Sequence, residues 1–362
     1  MNYPINVTSI GTKIISWCPD GDFKIEKKIV DSYRPYFFIY SDDNGNHLGI
    51  DGRKLNRLSF NSLKEMYLSI QEMRGNVDIY ESDIPFCTKF LIDTYKNVED
   101  KTLYKVRTFF DDIETETEDE YGIRKFPNVY NPTNRIISIS FYDNKTNNTY
   151  TFVLAPDSDK DKYREMIDKE MGEESRTVII FSSEEELLES YVDTYSKSGV
   201  QIEIGWNNIK FDLPYKIGRI KKLLGDSYVN KLSPVNKISE TNEGLFVDGI
   251  THLDYMTLYK LFAQSQSESY GLDFILNKEL GEGKIQHGGD LDLLWKRDFA
   301  KFVLYNRRDV GGLKELDDKL KYIDLARELT SMANVRLRDV YMTSRIIDGF
   351  ILTRMKRKGL MI

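Results

Sequence analysis

The chain has 362 residues, of which 40% are apolar and 12% aromatic. This length gives room for two or three domains with buried cores, and the composition excludes a largely disordered protein. A net charge of −7 argues against a protein that coats nucleic acid through bulk electrostatics. It leaves open a nucleic-acid enzyme whose own site is acidic and needs metal ions.

The cysteine content and the hydropathy favour a reducing, intracellular location. Cys18 and Cys87 are the two cysteines, too few for a disulfide framework or a zinc site. No apolar run reaches the roughly 20 residues that a membrane helix needs, and the N-terminus has no signal-peptide pattern. We therefore expect a cytoplasmic protein that is not secreted and has no membrane partner.

Residues 1–105 are predicted to form a β-rich domain. Strand-like segments occur at 13–18, 23–29 and 36–40, with turn-forming residues between them. Residues 62–73 have the apolar spacing of a helix. Nothing in this part of the sequence indicates a catalytic site.

From Val106 the pattern changes to that of an α/β domain. Strands are predicted at 135–142, 150–154, 178–181 and 201–206. Before the last of these strands, Ser183 and Glu186 form a capping box that opens an amphipathic helix, and Gly199 ends it. Several strands in succession, followed by strand, helix and strand, are typical of the α/β (α+β) class with a mixed sheet.

The stretch Phe109-Phe110-Asp111-Asp112-Ile113-Glu114 carries the first candidate site residues. The period of a strand puts Asp112 and Glu114 on one face. Asp111 could be confused with Asp112, but only Asp112 has the Asp-x-Glu spacing, so Asp111 is not expected to be a ligand. Neighbouring carboxylates repel each other unless a cation lies between them, and a hard divalent ion suits their oxygens. The alternative is a strand that runs into a solvated acidic loop at 115–120.

A second candidate stretch follows the strand that ends at Trp206. It contains Asn207, Phe211 and Asp212, and a helix is predicted to start just after Asp212. An Asp in this place is usually only the N-cap of the helix, and Asn207 could be no more than a turn residue. The stretch is therefore weak when taken alone.

A third candidate stretch lies on a helix predicted over 299–310. Tyr305 and Asp309 are four residues apart and so share one face of that helix. The alternatives are a tyrosine that packs in the core and an aspartate that faces water. This stretch is also weak by itself.

Taken together and in this order, the three motifs resemble the exonuclease motifs of the DEDD superfamily. They read Asp-x-Glu on a strand, Asn-x-x-x-Phe-Asp after another strand, and Tyr-x-x-x-Asp on a helix. Further segments are similar to family B DNA polymerases, in particular the replicative polymerases of T-even-like phages. These segments are 80–84, 90–93, 231–234, 253–259 and 270–273. The resemblance implies a ribonuclease H-like domain with 3′→5′ exonuclease activity.

The resemblance also implies catalytic roles. Asp112, Glu114, Asp212 and Asp309 would be the metal ligands. They would hold two divalent ions, Mg²⁺ or Mn²⁺, roughly 3.5–4 Å apart against the scissile phosphate. Tyr305 would orient the attacking water, because an ordinary tyrosine pKa of about 10 makes it a poor base at neutral pH.

Other polar and aromatic residues take supporting or neutral roles by the same resemblance. Asn207 and Phe211 would seat the terminal nucleotides of the substrate, Phe211 by packing or stacking. Asp254 and Asp273 are expected to be structural, or to support the metal ligands from behind. His252 and His287 belong to none of the motifs and are not expected to be ligands.

The implied organisation is that of part of a polymerase. Residues 1–105, completed by 326–362, would be the N-terminal domain, and residues 106–325 the exonuclease domain. The polymerase palm, fingers and thumb would come from another chain, or the sequence is a fragment of a longer enzyme. The stretch 237–249 reads as a shortened form of the family's strand-separating hairpin, which puts strand separation in doubt.

The expected partners are DNA, as single-stranded 3′ ends and primer-template, and a polymerase-domain chain, with RNA as a further candidate. An exposed apolar patch around residues 340–362 would support a partner chain. One alternative function is a nucleic-acid or partner-binding module of a split polymerase, one that binds RNA in autoregulation and has little activity alone. Another is a stand-alone DEDD nuclease that acts on RNA.

Overall fold

The computed structural model describes residues 2–41, 44–119, 122–157, 159–241, 244–281 and 291–362. The chain folds as two compact units. One consists of Met1–Lys105 together with Ile323–Ile362, and the other of Val106–Tyr322. A search of the described residues finds no helix with the length and apolar character needed to cross a bilayer.

The N-terminal segment of the first unit is rich in strands, as predicted. Its strands are β1 (Asn6–Ile10), β2 (Lys13–Pro19), β3 (Ile25–Val30), β4 (Tyr36–Tyr40), β5 (His47–Gly49), β6 (Lys54–Ser59) and β7 (Ile79–Tyr80). β1, β2 and β3 form an antiparallel sheet, and β5, β6, β4 and β7 lie side by side in a second one. The helices are α1 (Leu63–Met73), which Ser62 caps, and α2 (Phe86–Tyr95).

The second unit combines a central sheet with helices. Its strands are β8 (Thr108–Asp119), β9 (Asn134–Asp143), β10 (Asn148–Leu154), β11 (Val178–Phe181), β12 (Ile202–Gly205), β13 (Ile238–Thr241), β14 (Gly244–Val247) and β15 (Thr251–Asp254). Its helices are α3 (Lys160–Met171), α4 (Glu184–Ser198), α5 (Asp212–Leu224), α6 (Asp226–Lys231), α7 (Tyr255–Phe262), α8 (Leu272–Leu280), α9 (Leu291–Arg297) and α10 (Phe299–Leu320). The predicted strands and the capped helix α4 are thus confirmed.

The central sheet of this unit is mixed, as predicted. Over the described residues its strand order is β11-β10-β9-β8-β12-β15. β8 and β10 run antiparallel to β9, whereas β11 is parallel to β10, β12 to β8 and β15 to β12. Strand β8 carries the acidic stretch and lies within the sheet, between β9 and β12.

Helix α10 packs across β8 and β9 through an apolar face. Phe299, Phe302, Val303 and Val310 are all buried, as their spacing predicts. The acidic run after Glu114 continues β8 as far as Asp119 rather than forming a loop. The helix and the strand are therefore neighbours, which brings the first and third motifs together.

Strand β12 pairs with only the first part of β8. The two strands pair from Thr108 to Phe110 of β8, and β12 ends at Gly205. The chain then turns and enters α5 at Asp212. After α5 and α6, β13 and β14 pair as a hairpin within the stretch predicted as a reduced hairpin. Its turn, Asn242 and Glu243, lies outside the described residues.

The C-terminal segment returns to the first unit. It contains α11 (Tyr322–Ala333), α12 (Thr343–Arg357) and β16 (Leu360–Met361), and β16 adds in parallel to β5. Ile347, Phe350 and Ile351 are three and four residues apart on α12 and are 51%, 38% and 44% exposed. They give α12 an apolar face that is open to solvent in this chain.

Replacement of Gly205 by alanine tests the close approach of β12 to β8. A Cβ on Gly205 would lie 2.7 Å from the Asp111 carbonyl oxygen and 2.9 Å from the Asn208 Cβ. Because a backbone oxygen has little room to retreat, we expect Gly205→Ala to lower the free energy of unfolding by about 1–3 kcal/mol. Urea denaturation followed by circular dichroism measures this change.

Gly311→Ala is the matched control for Gly205→Ala. Gly311 lies in helix α10, and a Cβ there meets nothing within 4 Å. Alanine in an open helical position should stabilise the unit by about 0.5–1 kcal/mol. Equal effects of the two substitutions would contradict the close packing of β12 on β8.

Candidate active site

Three carboxylates from the first and third motifs meet in space. Asp112, Glu114 and Asp309 each offer an oxygen that lies within 4.8 Å of the other two. Asp112 and Glu114 are half-buried on one face of β8, and α10 brings the buried Asp309 against them. The strand period and the packing of α10 on β8 together account for this arrangement.

The chemistry of this group fits a hard divalent cation. All three side chains present carboxylate oxygens, which Mg²⁺ and Mn²⁺ prefer as ligands. Without a cation the three negative charges repel one another in a partly buried place. Asp112, Glu114 and Asp309 are therefore the residues that could hold a metal ion here.

Asp212 lies beside the same strand but is not a member of the group of three. It is the first residue of α5, whose N-cap is Phe211, so its predicted alternative as an N-cap is wrong. Its Oδ1 instead accepts a hydrogen bond of 3.3 Å from the backbone N–H of Ile113, between Asp112 and Glu114. Burial raises the pKa of Asp212 to about 6, although the Lys216 charge acts in the opposite direction.

The turn before α5 is held by the backbone of Asn207. This residue has a φ of 67°, a left-handed conformation that asparagine tolerates, and its carbonyl accepts from the N–H groups of Lys210 and Phe211. Asp254 caps helix α7 and also accepts from the Asn207 backbone N–H. Phe211 is half-buried and stacks on Tyr215 at 5.4 Å.

Tyr305 lies one turn before Asp309 in α10 and is 5% exposed. The spacing of four residues puts the two side chains on one helix face, as predicted. Between them, Arg307 donates to the Thr149 carbonyl oxygen at 2.8 Å and to the Thr177 hydroxyl at 3.2 Å. These bonds hold α10 against the sheet and so fix the positions of Tyr305 and Asp309 relative to it.

A buried cation on the other face of β8 was missed by the sequence analysis. The Lys216 ammonium donates to the Asp111 carboxylate, to Glu203 Oε1 at 2.9 Å and to the Tyr191 hydroxyl at 3.2 Å. Lys216, Asp111 and Glu203 are almost fully shielded from solvent. Since Lys216 lies one turn after Asp212, this ion cluster fixes α5 beside the strand that carries Asp112.

The same cluster explains His252. Its Nε2 lies 3.4 Å from Glu203 Oε2 and 3.4 Å from the Tyr195 hydroxyl, on the buried side of the sheet. His252 is thus a partner of the buried cluster behind β8. His287 lies outside the described residues.

The charges in the cluster shift one another's pKa values. Burial acts to lower the pKa of Lys216, but the Asp111 and Glu203 carboxylates outweigh burial and raise it. Burial alone would raise the pKa of Glu203, yet Lys216 and then His252 hold it well below its ordinary value. For Asp111 the effect of burial is larger than that of Lys216. Burial therefore raises the pKa of Asp111 to about 7, although Lys216 acts to lower it.

A second residue missed by the sequence analysis touches Asp112 directly. Asn306 Nδ2 donates to Asp112 Oδ2 at 2.7 Å, and Asn306 Oδ1 accepts from the Ser138 hydroxyl at 2.7 Å. The sequence does contain a signal for Asn306. It is a polar side chain on the apolar face of α10, between Val303 and Val310.

The comparison with known families bears on this site directly. Residues 104–275 match the model of the family described as DNA polymerase family B, exonuclease domain. The predicted resemblance to this family is confirmed. The exonuclease domain family implies a ribonuclease H-like fold, with which the mixed sheet of the second unit agrees. The matched stretch includes the first two motifs, and the third lies beyond it.

Two phage proteins are similar to nearly the whole chain. The DNA-directed DNA polymerase of Escherichia phage RB69 is 26% identical over 385 residues, covering 99% of this chain and 42% of that protein. The enzyme of the same description from Enterobacteria phage T4 is 25% identical over 377 residues, covering 97% and 41%. A DNA polymerase of Thermococcus litoralis is 26% identical over 296 residues, covering 78% and 15%. The chain thus spans about two fifths of the phage polymerases.

Removal of the buried cation tests the cluster behind β8. Lys216→Met leaves Asp111 and Glu203 buried beside each other without their ammonium, so we expect the free energy of unfolding to fall by about 3–5 kcal/mol at pH 7. The loss should shrink as the pH is lowered, because protonated carboxyl groups tolerate burial. Urea denaturation at several pH values measures both effects.

Lys221→Met is the matched control in the same helix. Lys221 is exposed and pairs with Asp226 at 2.9 Å on the surface, an arrangement worth at most about 1 kcal/mol. A loss for Lys216→Met no larger than that for Lys221→Met would contradict the role assigned to the buried cluster.

Proposed function

We propose that the unit Val106–Tyr322 is a 3′→5′ exonuclease that removes mispaired nucleotides from the 3′ end of DNA. The observation that carries this proposal is the meeting of Asp112, Glu114 and Asp309 beside Asp212 in a domain of the polymerase exonuclease family. The unit formed by Met1–Lys105 and Ile323–Ile362 would be the accompanying N-terminal domain.

In this mechanism Asp112, Glu114, Asp212 and Asp309 would hold two divalent ions, Mg²⁺ or Mn²⁺. The ions, when bound, would supply Lewis-acid stabilisation of the phosphate and activation of water. The chain itself contributes four negative charges at fixed positions, and Tyr305 contributes a hydroxyl that orients the attacking water. Asn207 and Phe211 lie at the turn that leads into Asp212 and would seat the terminal nucleotides.

Two exposed aromatic side chains support binding of single-stranded DNA. Phe126 and Tyr130 are each 95% exposed on the loop between β8 and β9. An aromatic ring in water has a free face on which any base can stack, without regard to sequence. Such a platform suits an enzyme that must accept every 3′ end.

The chain would work with polymerase domains that complete the enzyme. Its relatives are more than twice its length, and the apolar face of α12 formed by Ile347, Phe350 and Ile351 offers a surface for them. The same face favours the second candidate function, a nucleic-acid or partner-binding module of a split polymerase with little activity alone. Either function would be carried out in the cytoplasm, of a phage-infected host cell or of another cell.

Digestion of DNA by the purified chain separates these functions. With 5′-labelled DNA that carries a 3′ mismatch, and with Mg²⁺, we expect a ladder of shortened products. Asp112→Ala/Glu114→Ala should abolish the ladder, as should a chelator, because the ligand group is lost. A matched substrate that ends in ribonucleotides should be cut more slowly than the DNA, which separates proofreading from a nuclease that acts on RNA.

Glu118→Ala is the matched control for the double variant. Glu118 is an exposed carboxylate farther along the same strand, so its removal should leave the ladder unchanged. A folded wild-type chain that yields no ladder, even with Mn²⁺, would contradict the nuclease and favour the binding module.

The pH dependence of the digestion follows from Asp212. Burial raises its pKa to about 6, and only the ionised carboxylate can serve as a ligand. Activity should therefore rise as the pH increases through about 6. A higher concentration of Mn²⁺ should shift this rise to lower pH, since the ion and the proton compete for the same carboxylate. A rise that stays at the same pH at every metal concentration would contradict this assignment.

A further inference from the structure

We propose that Asn306 is a positioning residue that holds the Asp112 carboxylate in the metal-binding group, and that Ser138 fixes Asn306 in turn. This inference rests on the proposed function and extends it to Asn306, an unspecified position within the third motif, and to Ser138, which lies outside all three. Asn306 and Ser138 are both fully buried, one in α10 and the other in β9.

The contacts of Asn306 fix the direction of its amide. Its Nδ2 lies 2.7 Å from Asp112 Oδ2, and its Oδ1 lies 2.7 Å from the Ser138 hydroxyl. If the amide were turned over, its oxygen would face a carboxylate oxygen at that distance, and the two would repel each other. The amide N–H therefore donates to Asp112, and the Ser138 hydroxyl donates to the amide.

Ser138, Asn306 and Asp112 link the two elements that carry the three metal-binding carboxylates, β8 and α10. Ser138 lies opposite Glu114 in the register of β8 and β9. Asn306 is three residues before Asp309 and shares its helix face. A relay from Ser138 through Asn306 to Asp112 thus connects the strand that carries two of the carboxylates with the helix that carries the third.

A neutral donor suits this position better than a cation. An ammonium or guanidinium group beside Asp112 would compete with a divalent ion for the carboxylate charge. An amide N–H orients the carboxylate and leaves that charge available. Arg307 is the next residue in the chain, and its guanidinium donates to Thr149, Thr177 and Glu174.

Binding of Mn²⁺ to the full chain without DNA, followed by electron paramagnetic resonance, tests the proposal. We expect Asn306→Ala to weaken binding by about 10–100-fold, the usual effect of removing the partner of a metal ligand. Asn306→Leu, which fills the space without a donor, should weaken it as much. Ser138→Ala should weaken it less, and the double variant should match Asn306→Ala, since both residues act through one contact.

Ser140→Ala is the matched control. Ser140 lies two residues along the same strand, is equally buried, and pairs with the Thr151 hydroxyl at 2.9 Å. The Ser140→Ala chain should bind Mn²⁺ as the wild-type chain does. If Asn306→Ala fails to fold, Ser138→Ala and Asn306→Leu carry the test, with circular dichroism as the check of folding.

The outcomes separate the inference from the proposed function. Wild-type binding of Mn²⁺ by folded Asn306→Leu, in a chain that still digests DNA, overturns the positioning role and leaves the exonuclease intact. Absence of Mn²⁺ binding by the wild-type chain overturns both. Weaker binding in both Asn306 variants and in Ser138→Ala, but not in Ser140→Ala, supports the relay.

Discussion

The buried Lys216 ammonium is the interaction on which the geometry of the site depends. Strand β8 carries three carboxylates within four residues, and their mutual repulsion opposes folding. The period of the strand divides them between two faces. Asp111 is compensated inside the protein by Lys216, which also engages Glu203. Asp112 and Glu114 keep their charge on the other face, where a divalent ion can use it.

The two faces of β8 have different roles: the buried cluster on one face makes the site rigid, and the carboxylates on the other keep its negative charge. The cluster around Lys216 anchors α5, whose first residue, Asp212, accepts from the Ile113 backbone between the two outer carboxylates. On the other face, the bonds of Asn306 and Arg307 hold α10 against the sheet. The acidic side chains therefore belong to elements that are fixed by other residues, so they do not need to form the structure themselves.

Local patterns in the sequence were enough to predict one part of this arrangement. The period of two put Asp112 and Glu114 on one face, and the spacing of four put Tyr305 and Asp309 on another. Both rules act within one element, so no knowledge of the fold was needed. The N-cap alternative for Asp212 failed because α5 begins at Asp212 itself, and the Asp212 carboxylate accepts from Ile113 in a distant strand.

The residues that hold the site could not be predicted in the same way. Lys216 and Asn306 find their partners, Asp111 and Asp112, only after far-apart parts of the chain have come together. A lysine or an asparagine among apolar neighbours on a helix shows only that a polar partner must exist. The identity of that partner depends on which strand the helix packs against, and helical periodicity carries no information about it.

The packing of α10 on β8 also determines when the site comes into being. Asp112 and Glu114 lie near the start of their unit and Asp309 near its end. Contacts between such distant segments require the closure of a long loop, which costs conformational entropy. A growing chain that has not yet been extended through α10 therefore has no assembled acidic group, and any chemistry that uses this group must wait until the unit is complete.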